Sequence, residues 1–118
     1  MVKKIIVLFL LFFVSTNTLF AATLNFSPSS GAYDTDTNFS VGVFVQSQEQ
    51  AMNAVSSSIK FDTSKLQVLS ISKNGSIVDF WAKEPSFSNT TGEINFEGVV
   101  LTPGYQGPAG KIITLNLK

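Results

Sequence analysis

From Asn38 onward, apolar side chains recur at every second position. Phe39, Val41, Val43 and Val45 share one face of Asn38 to Gln46, with Ser40, Gly42 and Gln46 on the other, where Phe44 interrupts the polar run. Val55, Ser57, Ile59 and Phe61 repeat the pattern, as do Ile94, Phe96, Gly98 and Val100, and then Ile113, Leu115 and Leu117. A period of two is that of a β-strand with one face buried. It predicts strands near Leu24 to Phe26, Asn38 to Gln46, Ala54 to Phe61, Leu66 to Ser72, Glu93 to Val100 and Lys111 to Leu117. Phe39, Val41, Val43, Ile59, Phe61, Leu66, Val68, Ile94, Phe96, Ile113 and Leu115 form the expected core. Glu49 to Ala54 has room for one helical turn, and Phe80-Trp81 falls in a stretch without period, up to Pro85, where one ring packs inward and the other stays outside.

The phase of Leu66, Val68, Leu69 and Ile71 changes between Val68 and Leu69, which predicts a β-bulge or a strand buried on both faces. Asp62 follows a strand directly, so its side chain is placed to accept hydrogen bonds from the backbone of Ser64 or Lys65 and to reverse the chain before Leu66. Ser27 to Gly31, Lys73 to Ser76, Ser88 to Gly92 and Thr102 to Gly110 carry the other turn signals. Several short strands separated by such turns specify an all-β, antiparallel two-sheet sandwich. Lys111 to Lys118 reads as a regular strand with no closing turn or partner after it, which predicts an exposed edge and a domain that continues beyond Lys118.

The first residues are of another kind. Lys3 and Lys4 precede the apolar run Ile5 to Val14, and Leu19-Phe20-Ala21-Ala22 follows polar Ser15 to Thr18. This is the order of a bacterial-type secretory leader, read over residues 1–22 and leaving a domain over 23–118. The run is shorter than the about 20 residues that span a bilayer. Loss of Lys3 and Lys4 leaves six lysines against eight acidic residues, a net charge of −2. No arginine is present, so the clustered cations of a nucleic-acid surface are missing. Without cysteine a secreted domain must be held by its core.

The motifs Thr23-Leu24-Asn25-Phe26-Ser27-Pro28, Phe61-Asp62-Thr63-Ser64-Lys65-Leu66, Lys73-Asn74-Gly75-Ser76-Ile77 and Gly104 to Ile113, in that order, resemble those of the cohesin family. The resemblance covers nearly all of 23–118 and implies a jelly-roll sandwich of nine strands, of which Lys111 to Lys118 matches the seventh and the last two are absent. Cohesins bind calcium-carrying dockerin modules through a sheet face. That face matches Ala54 to Phe61 and Glu93 to Val100, which implies partner contacts near Asn53, Ser56, Ser58, Glu97 and Gly98. The parent function implied is non-catalytic recognition in an extracellular or cell-surface assembly, with membrane contact only through the leader or an anchor further along the polypeptide.

A second reading is a carbohydrate-binding module that stacks a sugar on Trp81 or Tyr105, and a third is a structural spacer. With no histidine and no cysteine there is no ordinary nucleophile and base pair and no soft metal site, so no enzyme and no cofactor is expected. Asp34 and Asp36 are two carboxylates where calcium takes six to eight oxygens, and they read as a loop turn. Asn74-Gly75 is likewise a turn. Asn25, Asn38 and Asn89 each open an Asn-X-Ser/Thr pattern, frequent by chance in a chain of this composition.

Overall fold

A computed structural model describes residues Ala22–Lys118; the leader read over 1–22 lies outside the described residues save for Ala22. Seven strands and no helix are found there: β1 (Thr23–Ser27), β2 (Phe39–Met52), β3 (Ala54–Lys60), β4 (Val68–Ser72), β5 (Phe80–Ser88), β6 (Glu93–Val99) and β7 (Tyr105–Leu117). They form two antiparallel sheets, one in the order β1-β2-β7-β4 and one in the order β3-β6-β5. The expected all-β sandwich is what the chain forms.

Alternation decides which side chains meet between the sheets. Val43, Val45, Val68, Ile94, Phe96, Ile112 and Ile113 are no more than 1% exposed. Removing each of these from water is worth about 2 kcal/mol. Two adjacent residues, Ile112 and Ile113, are both sealed because β7 bulges there: Val43 stands opposite Ile113 and Phe44 opposite Lys111, so Ile112 has no opposite number. The bulge expected between Val68 and Leu69 is also present. Val68 pairs with Leu117 and Ser70 with Asn116, and Leu69 is pushed out to solvent.

Four expectations are corrected. Glu49 to Met52 is not a helical turn but the end of β2, which carries on for 14 residues because Met52 still pairs with Tyr105. The aperiodic stretch after Val78 is β5, irregular in pattern because its register slips against β6 between Trp81 and Lys83 and again between Lys83 and Ser86. Lys111 to Lys118 is not an exposed edge: β7 begins at Tyr105 and runs between β2 and β4, paired on both sides. Of the expected core, Phe39, Val41, Ile59, Phe61 and Leu66 are only half-buried. They line a cleft along the side of the sandwich where β1 and β3 lie, open to solvent but for the Tyr33 ring, which stacks on Phe39 with centroids 3.9 Å apart.

Glycine earns its place at the β5–β6 connection. Gly92 has φ 74°, and a Cβ there would stand 2.4 Å from the carbonyl oxygen of Phe61. The close approach lets the Gly92 carbonyl accept a 2.9 Å hydrogen bond from the Phe61 N–H, tying the end of β3 to the start of β6. Asn74-Gly75 forms the expected turn, with the Ser76 N–H donating to the Lys73 carbonyl at 3.1 Å. It joins β4 in one sheet to the approach of β5 in the other, and so makes no hairpin.

Candidate recognition surface

The outer face of the three-stranded sheet is assembled from side chains of even parity on β3 and their opposites on β6 and β5. Ser56 faces Glu97, which faces Lys83; Ser58 faces Asn95, which faces Ser86. Toward one end Ala54 faces Val99, which faces Phe80. Toward the other, Lys60 faces Glu93, which faces Ser88. The face is therefore graded across its rows: apolar, then charged, then amide and hydroxyl, then charged again. Phe80 is 60% exposed and Leu101, just past β6, is 61% exposed, so the apolar end is open to solvent. Ser56, Ser58, Lys83, Asn95 and Glu97 line a shallow depression beside it.

Of the five residues implied as partner contacts, Ser56, Ser58 and Glu97 share this face. Gly98 does not: neighbours on a strand point to opposite sides, and Gly98 is buried, with a Cβ there lying 2.9 Å from Val78 and 3.3 Å from the Trp81 ring. Asn53 closes the end of the sheet instead of standing on it. Its carbonyl accepts from the Val100 N–H at 2.7 Å and its Nδ2 donates to the Val100 carbonyl at 3.3 Å. Phe80, Val99, Leu101 and Lys83 belong to the same surface and were not singled out as contacts from sequence. Parity counted outward from Glu97 finds Val99 on the same face and places Gly98 on the other.

The rings proposed for sugar stacking are both engaged. Trp81 points inward, packs against the core and meets Phe96 edge to face with centroids 6.2 Å apart at 88°. Phe80 turns outward, so the pair splits as expected. Tyr105 is half-buried against the core, and its ring fills the space over Gly107 and Gly110, where a Cβ would approach to 2.6 Å and 2.8 Å. Its hydroxyl accepts a hydrogen bond from the Ala109 N–H at 3.1 Å. These glycines thus belong to a strand with a ring laid over it, where the sequence reads as a loop.

The remaining polar clusters are structural. Thr37 N–H donates to the Asp34 carbonyl at 3.1 Å with Asp36 at φ 65°, so Asp34 to Thr37 is the turn expected there. Among the described residues no three His, Cys, Asp or Glu side chains gather. Asp62 accepts at Oδ1 from the Ser64 hydroxyl at 2.6 Å and from the Ser64 N–H at 2.9 Å, as its position after β3 predicts. Those two bonds, the hydroxyl first, hold its carboxyl below the usual aspartate range. Asn89 supplies an amide in place of a strand: its Oδ1 accepts from the Val68 N–H at 2.8 Å and its Nδ2 donates to the Val68 carbonyl at 2.9 Å. The Asn89-Thr90-Thr91 pattern is thereby accounted for by a structural role of its asparagine.

Fold and surface together define an all-β antiparallel sandwich with one graded, open sheet face. No protein-family model, curated protein or solved structure matches the chain.

Proposed function

We propose that this chain is a secreted, non-catalytic recognition module that holds a protein partner on the outer face of its three-stranded sheet, within an extracellular or cell-surface assembly. The observation that carries the reading is the gradient on that face. An exposed Phe80 beside Val99 and Leu101 offers an apolar anchor, and the serine, carboxamide and charged rows next to it supply a polar rim. Protein interfaces have this anatomy, with an aromatic anchor at the centre of the energy and hydrogen bonds around it. The resemblance of the sequence to cohesins names the partner class, a dockerin-type module, and the same resemblance places the contact on β3 and β6.

A panel of calcium-loaded dockerin modules, titrated calorimetrically against the purified chain, tests this. One or more should bind, and Phe80→Ala should weaken that binding by more than about tenfold while leaving the unfolding midpoint in place. Retention of the chain on insoluble polysaccharide, with no dockerin bound, would overturn it in favour of sugar recognition. Trp81→Ala does not discriminate between the two readings, since the ring packs against the core and its loss would disturb the fold.

A further inference from the structure

The chain has eight asparagines, and only Asn74 is followed by glycine; phenylalanine, leucine, alanine or threonine follows the others. Asn74 lies in the turn that carries the chain from β4 in one sheet toward β5 in the other. There the Ser76 N–H donates to the Lys73 carbonyl at 3.1 Å, Gly75 has φ 74°, and Asn74 stays outside the left-handed region, which is the pattern of a type II turn. Asn53, Asn89 and Asn116 hold their carboxamides in hydrogen bonds. Asn74 is exposed, and among the described residues its side chain has no hydrogen-bond partner and the Gly75 N–H has no acceptor.

A main-chain nitrogen that reaches the carboxamide carbon of the residue before it closes a succinimide ring, an attack within one molecule that proximity favours. From a type II turn, the Asn74–Gly75 peptide has to turn over before the Gly75 nitrogen and Asn74 Cγ meet. Glycine makes that rotation cheap, because both signs of φ are open to it. The surroundings leave room for it: a Cβ placed on Gly75 would meet only Cδ of Lys111, 3.8 Å away.

We propose that Asn74 is a modification site, deamidated by the Gly75 nitrogen in the folded chain. That nitrogen gives its proton to hydroxide and bonds to Asn74 Cγ; the Cγ–Nδ2 bond breaks, and Nδ2 leaves as ammonia with a proton taken from water. Water then opens the succinimide, at Cγ to give aspartate or at the main-chain carbonyl to give isoaspartate. One water is taken up and one ammonia released, with no change of oxidation state. Aspartate sets a carboxylate beside Lys73 and the stem of Lys111, and isoaspartate also adds an atom to the main chain inside the turn. This chemistry is independent of the choice of binding partner.

Peptide mapping by mass spectrometry tests it, on the full chain purified from a secreting host and kept folded at neutral and at mildly alkaline pH. Asn74 should be the first asparagine to convert, its peptide gaining the mass difference between a hydroxyl and an amino group and separating into two products. One of the two should accept a methyl group from an isoaspartyl methyltransferase. The rate should rise with pH, since the attacking nitrogen must first lose its proton. Gly75→Ala should slow conversion by more than about tenfold, because a Cβ hinders both the rotation of the peptide and the approach of its nitrogen. Should that variant disturb the turn, Asn74→Gln replaces it: the longer side chain would have to close a larger ring, and the mass change at this peptide should disappear. Asn74 left intact in the folded chain while the chain in urea converts, another asparagine converting first, or an unchanged rate in either variant would each overturn the proposal.

Discussion

The two long sides of the sandwich are built differently. On the side of β4 and β5, the sheets are clasped: the Asn89 amide bonds both backbone groups of Val68, Lys73 pairs with Glu84, and the Ile77 N–H donates to the Lys111 carbonyl at 2.9 Å. On the side of β1 and β3 no such bridge is found among the described residues, and Ile59 and Phe61 remain half-buried over the cleft. Alternation in the sequence does not track this difference: it is regular in β3, on the open side, and broken in β4 and β5, on the clasped one. Period therefore sets which way a side chain points, and lateral closure sets how far it is removed from water.

The largest test of that contrast uses two isoleucines that face each other across β3 and β6. Ile94→Ala should cost about 4 kcal/mol, as for a sealed core position, whereas Ile59→Ala should cost about 1.5 kcal/mol because its site is open and half-solvated. Urea midpoints at unchanged slope measure both, and equal losses would erase the distinction. Next, Asn89→Ala leaves the N–H and C=O of buried Val68 without partners and should cost about 2 to 3 kcal/mol, with faster exchange at Val68. A smaller effect is expected at Lys73→Ala. With both side chains largely in solvent the pair is worth less than about 1 kcal/mol, and its contribution should vanish in high salt.

The last and smallest concerns Asp62. Its folded carboxyl titrates below the ordinary aspartate value of 3.8, so its contribution is present above that value and is lost as pH falls through the lower folded one. The gap in stability between the wild-type chain and Asp62→Ala should be level at neutral pH and close in acid. A gap that widens in acid would contradict the role assigned to Ser64.

What could be read in the sequence follows the same physics. The first half of β2, β3, β6 and the second half of β7 were legible because apolar residues recur there at every second position, whereas Glu49 to Met52, the polar end of β2, carries no such signal. β5 was hidden by its two slips and Pro85, which scramble the period of an edge that is nevertheless paired. Gly107 and Gly110 read as loop because nothing in their own residues tells of the Tyr105 ring that supplies their missing bulk. Of the residues implied by the cohesin resemblance, Ser56, Ser58 and Glu97 share one face of the sheet and Gly98 lies on the other, where a glycine carries no side chain to betray its face. Phe80 was noticed as an aromatic, but its place beside Val99 depends on the register of β5, which no local pattern encodes.

The central position of β7 also sets how the sheet carries load. β1 and β7 are each antiparallel to β2 and so run in the same direction. Thr23 stands beside Gln46 at one end of the sheet, and Leu117 beside Phe39 at the other. Tension applied between Thr23 and Lys118 therefore pulls along the strands, and the β1–β2 and β2–β7 ladders resist it in shear, with their hydrogen bonds sharing the force instead of opening one after another.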